Sequence, residues 1–268
     1  MILATSIIGV LGMVLLPIAL GFWLTRKFKL SWKLWLAGAV TFIASQVLHI
    51  PVLYGLTIMF ANGTLPGPPV AWATIFNAVL LGLLAGIFEE TARYILYKFF
   101  LKKANTWNEG MLVGAGHGGI EAITLGILGV FTVINMVVMR NLDLSTLGIP
   151  ADQVELARQQ IDAFWASPAY MGLLGFAERI FAICLHLSLS IMMLYSVAYK
   201  KPVWFLIALL WHAIVDASAV YLIPLVGAVA LEGIVAVMAL VSLAVLFWLR
   251  PKFARAEPLE VTTEATAG

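Results

Sequence analysis

The sequence predicts an all-α polytopic membrane protein of about seven transmembrane helices, and three observations carry that prediction. Of 268 residues, 62% are hydrophobic and 11% charged, with a mean hydropathy of +1.01, against roughly half apolar usage in soluble domains. Seven runs reach the about 20 mostly apolar residues that a helix needs to cross the hydrocarbon core: 3–24, 34–60, 71–98, 110–138, 168–198, 203–225 and 228–249. The basic residues also divide unevenly between the connections. The first, third and fifth loops and the C-terminal end hold Arg26, Lys27, Lys29, Lys33, Lys98, Lys102, Lys103, Lys200, Lys201, Arg250, Lys252 and Arg255, while the even loops hold Arg140 and Arg158. Because Lys and Arg favour cytoplasmic loops, this split places a multi-pass protein in the cell membrane with its N-terminus outside and its C-terminus cytoplasmic. A net charge of +2 gives no basic field for nucleic acid.

Taken in order, span one has no basic residue before it and a cluster after it, which reads as a retained span rather than a cleaved leader. Span two carries His49. Span three contains "FEETARY", with Glu89, Glu90 and Arg93, and span four "GAGHGGIEA", with His117, Glu121 and a run of glycines. The fourth loop holds an amphipathic helix over 150–166, lying on the outer surface. Pro150 starts it, Asp152 and Glu155 occupy its early turns, and Val154, Ala157, Ile161 and Phe164 form one face. Span five carries Glu178, Arg179 and His186, span six His212 and Asp216, and span seven Glu232. Residues 1–250 form one transmembrane domain with a core at 80–220, and 251–268 a disordered cytoplasmic tail. The sole cysteine, Cys184, is intramembrane, so there is no disulfide framework.

Each ionisable group within a span costs about 2.5 kcal/mol or more in hydrocarbon and needs a partner or a purpose. At a rise of about 1.5 Å per residue, His117 lies roughly 12 Å from Glu109, His212 roughly 16 Å from Lys201, Glu90 roughly 18 Å from Lys102 and His186 roughly 21 Å from Lys200. Spans three to six thus deliver their ionisable groups to one layer in the cytoplasmic half. Residues four apart share a helix face, which pairs Glu89 with Arg93, His117 with Glu121, and His212 with Asp216. A carboxylate one turn from an imidazole either joins it as a metal ligand or orients it.

Arg93, always charged, is expected to hold Glu89 bidentately, and Glu178 and Arg179 to pair. His49 and Glu232 read as interhelical hydrogen-bonding groups. Gly114, Gly116, Gly118 and Gly119 should let neighbouring helices approach and leave room beside His117 for water or a substrate backbone. There is no H-E-x-x-H, no serine-nucleophile motif and no aspartyl-protease pair. What remains is a Glu/His/Asp set suited to activating water, through a metal or directly by a carboxylate.

The segments "FEETAR", "GHGGIEA", "AERIFAICLHLSLS" and "HAIVD" resemble the YhfC-type family of intramembrane metalloproteases. That family looks like a branch of the group containing type II CAAX prenyl endopeptidases and bacteriocin-processing or self-immunity membrane proteases. The likeness covers residues 80–220. In the larger group a Glu-Glu-x-x-x-Arg segment, a Phe-x-x-x-His segment and a His-x-x-x-Asn/Asp segment form the site, with a glutamate as the water-activating base. His212 and Asp216 match the last segment. His117 matches the middle histidine, with Val113 in place of phenylalanine. The first segment is one residue shorter here, which leaves both Glu89 and Glu90 as candidate bases, and His186 has no counterpart.

The resemblance and the buried layer together imply a metallopeptidase with Glu89, Glu90, His117 and His212 as catalytic residues. His117, Glu121, His186, His212 and Asp216 would be ligands of a Zn²⁺, supported by Arg93, Glu178 and Arg179. The substrate would be a membrane-embedded or membrane-proximal peptide. The rival readings are a proton- or cation-coupled transporter, which usually shows inverted repeats and broken helices, and a noncatalytic maturation or scaffold protein.

Overall fold

A computed structural model describes residues 1–255 except 149. It is helical throughout: α1 (Ile2–Phe28), α2 (Trp32–Ala61), α3 (Ala73–Ile95), α4 (Trp107–Met139), α5 (Ala151–Ala166), α6 (Met171–Ala198) and α7 (Val203–Arg255). Six of these are long and apolar enough to cross a membrane. The last is two helices that meet at Gly227, whose φ of 76° and ψ of 166° suit glycine alone, and that fold back on each other, with Trp204 against Trp248 and Trp211 Nε1 donating to Ser242 Oγ. The break falls in the predicted gap between spans six and seven. The protein is a multi-pass membrane protein.

Local chemistry sets the helix ends. Ser31 caps α2 by accepting from the Lys33 amide, and a capping box starts α4, where the Thr106 hydroxyl accepts from the Glu109 amide and the Glu109 carboxylate accepts from Thr106 N–H. α3 passes into a π-helical turn over Leu96–Phe100. That turn carries Tyr97 inward, where its hydroxyl meets Ser190 Oγ at 2.6 Å, and Ser190 in turn donates to the Gly110 carbonyl. α5 presents its predicted face inward, with Ile161 buried and Val154, Ala157 and Phe164 half-buried. Residues 251–255 continue α7, and the rest of the predicted tail, 256–268, lies outside the described residues.

The bundle is organised around α4 and α6. α1 and α2 pack on α4, α6 packs on α4 and α7, and α3 lies between α2 and α7. One end is fastened by aromatic residues: Phe28 meets Trp107 edge-on, Tyr199 Oη donates to the carbonyls of Asn105 and Phe253, and Trp204 lies against Trp248. This end gathers the first, third and fifth loops, so the basic residues lie on one side of the bundle. At the other end the Thr5 hydroxyl donates to the Ala169 carbonyl and Trp165 Nε1 donates to the Met136 carbonyl.

Candidate active site

The expected layer exists. Glu89 and Glu90 on α3, His117 on α4, His186 on α6 and His212 on α7 are all buried. The His186 ring centroid stands 5.0 Å from that of His117 and 5.4 Å from that of His212. His117 Nε2 lies 3.0 Å from Glu89 Oε2, and His212 Nε2 lies 3.8 Å from the same oxygen. Helices α3, α4 and α7 therefore meet at one carboxylate, with the His186 ring of α6 beside the two imidazoles.

The two adjacent glutamates have different surroundings. Glu89 borders a cavity of about 80 Å³ shared with Glu121, Glu178, Arg179, His186, His212 and Asp216. Its Oε1 accepts from Gln46 Nε2 at 3.2 Å. Glu90 has no exposed surface and does not line the cavity. Its Oε1 accepts from Arg93 Nη1 and from His212 Nδ1, the latter at 2.8 Å, while Oε2 has no partner among the described residues.

The expected hold of Arg93 on Glu89 is therefore corrected. Arg93 bonds Glu90 and reaches His186 Nδ1 at 2.6 Å, whereas Glu89 Oε2 stands 3.9 Å away. Sharing a helix face brought both carboxylates within reach, and the fully enclosed one took the guanidinium.

His117 and Glu121 share a face without pairing. His117 Nδ1 is held by Thr41 Oγ1 at 2.8 Å, and Glu121 turns to α6, where Oε2 accepts from His186 Nε2 and Oε1 from Arg179 Nη1, each at 2.5 Å. Arg179 also donates to Glu178, so the expected pair is present and is linked through Glu121 to the layer. Asp216 Oδ2 stands 3.5 Å from His212 Nε2 at a more exposed rim.

Of the two residues read as packing groups, His49 stacks on Phe88 at 5.4 Å. Neither of its ring nitrogens has a partner among the described residues, and neither does Oε2 of Glu232. The interhelical hydrogen bonds expected of the His49 ring and of this Glu232 oxygen are not formed among the described residues.

The glycines around His117 permit close approach, as expected, but they leave no free space. A Cβ on Gly116 would strike the Trp35 carbonyl of α2, one on Gly114 would stand 2.8 Å from the His186 carbonyl, and one on Gly118 would stand 2.9 Å from His186 Cδ2. Neighbouring helices fill the volume, and the open space lies instead between α6 and the two halves of α7.

Several contributors escaped the sequence reading. Thr41 and Gln46 on α2 contact His117 and Glu89, and the ring of Phe42 packs edge-on against His117 at 5.5 Å. An aromatic ring thus reaches this histidine from α2 although Val113 stands one turn before it. A census of ionisable residues passes over neutral side chains. The signal within reach was the four-residue spacing of Thr41 and Ser45, with Gln46 beside them, in an otherwise apolar run.

Known proteins resemble this chain along most of its length. The family model described as YhfC intramembrane metalloprotease matches residues 12–241. A relative from Bacillus subtilis (strain 168), described as "Uncharacterized membrane protein YhfC", is 33% identical over 240 residues, spanning 88% of this chain and 90% of the relative. No solved structure matches.

Proposed function

The chain belongs to the YhfC intramembrane metalloprotease family, and from that premise we propose that it hydrolyses a peptide bond of a membrane-embedded or membrane-proximal substrate at the cavity bordered by Glu89. The observation that carries the reading is the convergence of imidazole nitrogens from α4 and α7 on one oxygen of a cavity-lining carboxylate.

The donor chemistry fits a divalent metal. Ligand-type atoms of Glu89, His186 and His212 lie within 4.8 Å of one another, and His117 reaches the same Glu89 oxygen. Imidazole nitrogens with carboxylate oxygens are the set that Zn²⁺ takes in catalytic sites. The residues that would hold it come from His117, His186 and His212, with Asp216 at the rim and the Glu89 carboxylate beside them. Bound there, the ion would polarise the scissile carbonyl and lower the pKa of water to about 7.

The remaining steps belong to the chain. Glu89 takes a proton from water as the water oxygen attacks the carbonyl carbon. It then returns that proton to the amine nitrogen as the carbon–nitrogen bond breaks. Glu90, locked between Arg93 and His212, keeps the His212 ring in position. An apolar groove of about 630 Å³ between α2 and α3, with Thr41 and Ser45 among its lining residues, supports a lateral approach for an apolar substrate.

A proton-relay reading finds less support. The hydrogen-bonded chain from His212 through Glu90, His186 and Glu121 to Glu178 passes through Arg93 and then Arg179, and a guanidinium does not give up its proton in a protein.

The test uses purified protein in lipid vesicles with a library of membrane-spanning peptides. Cleavage by the unmodified chain that stops on chelation, and falls at least about 100-fold in Glu89→Gln, supports the reading. Equal cleavage by the two proteins overturns it.

A further inference from the structure

The three buried imidazoles are equivalent by type and depth, but their Nδ1 partners are not. Arg93 Nη2 stands 2.6 Å from His186 Nδ1. A guanidinium has donors and no acceptor, so this Nδ1 must be bare, and the ring proton of a neutral His186 then sits on Nε2. The second contact agrees, because Nε2 points at Glu121 Oε2 from 2.5 Å and carboxylate oxygens accept. Both ring nitrogens of His186 are thereby committed. A metal at Nε2 would need the proton moved to Nδ1, where it would face an Arg93 N–H.

The other two rings are held the opposite way round. His212 Nδ1 faces Glu90 Oε1, which also accepts from Arg93, so this Nδ1 carries a proton. His117 Nδ1 faces Thr41 Oγ1, whose single hydroxyl proton goes to the Gly38 carbonyl at 2.6 Å. The hydroxyl has only acceptor capacity left for the ring, so this Nδ1 is protonated too. At Nε2 both rings then face carboxylate oxygens, Glu89 for His117, and Glu89 with Asp216 for His212. Whatever occupies that region must carry positive charge, as a proton or a metal ion.

We infer that the Nδ1 contacts sort the histidines into two metal ligands, His117 and His212, and one hydrogen-bond donor, His186. Distance alone would group His186 with Glu89 and His212, but the hydrogen-bond chemistry removes it. Arg93 and Thr41 are the positioning residues that enforce the sorting. As a metal ligand's ring orientation is set by the partner of its other nitrogen, Thr41 does for His117 what Glu90 does for His212. His186 lines the cavity as an N–H donor, a group suited to holding the carbonyl oxygen of a bond under attack once Glu121 releases it. The assignment of a metal rests on the protease reading above, whereas the sorting of the protons does not.

The two are tested separately by ring ¹⁵N magnetic resonance of histidine-labelled protein in vesicles. The chain has four histidines, and His49→Gln, which replaces none of the residues placed at the site, leaves the three of interest. Without metal, two rings should show a protonated Nδ1 and one a bare Nδ1. Added Zn²⁺ should shift Nε2 of the first two and leave the third with its Nε2 proton. Zn²⁺ affinity should fall at least about tenfold in His117→Gln and His212→Gln and change less than about threefold in His186→Gln. Thr41→Val should lose the single Nδ1 state of His117, and Thr41→Ser should restore it. Three rings of one kind without metal, or Zn²⁺ taken up by the ring with bare Nδ1, would overturn the sorting. If no Zn²⁺ binds, the metalloprotease reading fails, and the metal-free spectrum still decides the proton placement.

Discussion

Glu89 and Glu90 differ by one residue and by nearly everything that determines reactivity. Glu89 borders the cavity, accepts from the Gln46 amide through Oε1 and faces the His117 and His212 rings through Oε2, so it can exchange protons with water in the cavity. Glu90 is enclosed and accepts from two cationic or ring donors through one oxygen. The two Glu→Gln substitutions should therefore fail differently. Glu89→Gln keeps a hydrogen-bonding side chain of the same shape and should leave the unfolding midpoint in detergent close to that of the unmodified protein, with cleavage lost. Glu90→Gln leaves the Arg93 guanidinium without its closest buried counter-charge and should cost about 3 kcal/mol or more of stability, read as a lowered unfolding midpoint. Equal destabilisation by both would remove the distinction. Arg93→Gln should lower stability as well, and it frees His186 Nδ1, so its effect on the ring spectrum separates positioning from bulk packing.

At the scale of elements, the crossing of α2 over α4 delivers Thr41 to His117, and glycines on both helices make it. A Cβ on Gly38 would collide with the Val113 carbonyl, and one on Gly116 with the Trp35 carbonyl. Gly38→Ala and Gly116→Ala should each cost about 1–3 kcal/mol through overpacking. At Gly233 a Cβ would have nothing within 4 Å, so alanine should be tolerated there with no loss, since it favours the helix by up to about 1 kcal/mol. Thermal unfolding of the three variants checks the order.

These elements also show what the sequence could reveal. Apolar runs and basic loops marked every spanning helix, because in lipid the backbone must satisfy itself within each segment. Depth counted along a helix located the buried layer, because the rise per residue is fixed. Partner choice was hidden. Arg93 lies within reach of both Glu89 and Glu90, and Glu121 within reach of two helices, so the outcome depends on which neighbour packs against each face. Thr41 and Gln46 carry no charge and raise no cost that a sequence census registers. The volume beside the Gly114–Gly119 run was filled by α2 and α6, which no spacing rule on α4 foretells.

At the scale of the whole molecule, the described loops fall into two groups. Phe28, Trp107, Tyr199 and Phe253 fasten one end of the bundle, where the basic loops gather, and Thr5 with Ala169 and Trp165 with Met136 fasten the other. The concentration of Lys and Arg at one end predicts that this end faces the cytoplasm, since the charge bias acts on short loops near the spans. The two ends can be addressed chemically because Cys184 is the one cysteine in the sequence and is partly buried within α6. In a Cys184→Ala background, Lys103→Cys and Lys201→Cys should resist a membrane-impermeant maleimide in intact cells and react after permeabilisation. Asn62→Cys and Asn141→Cys should react in both conditions. All four positions are exposed, so a missing signal cannot be ascribed to burial in the protein. Labelling of 103 and 201 in intact cells, with 62 and 141 protected, would invert the protein. Because the Glu89 layer was located by counting from the basic ends, the same inversion would move the proposed cleavage site to the outer half of the membrane, and the substrate would then have to be sought on that side.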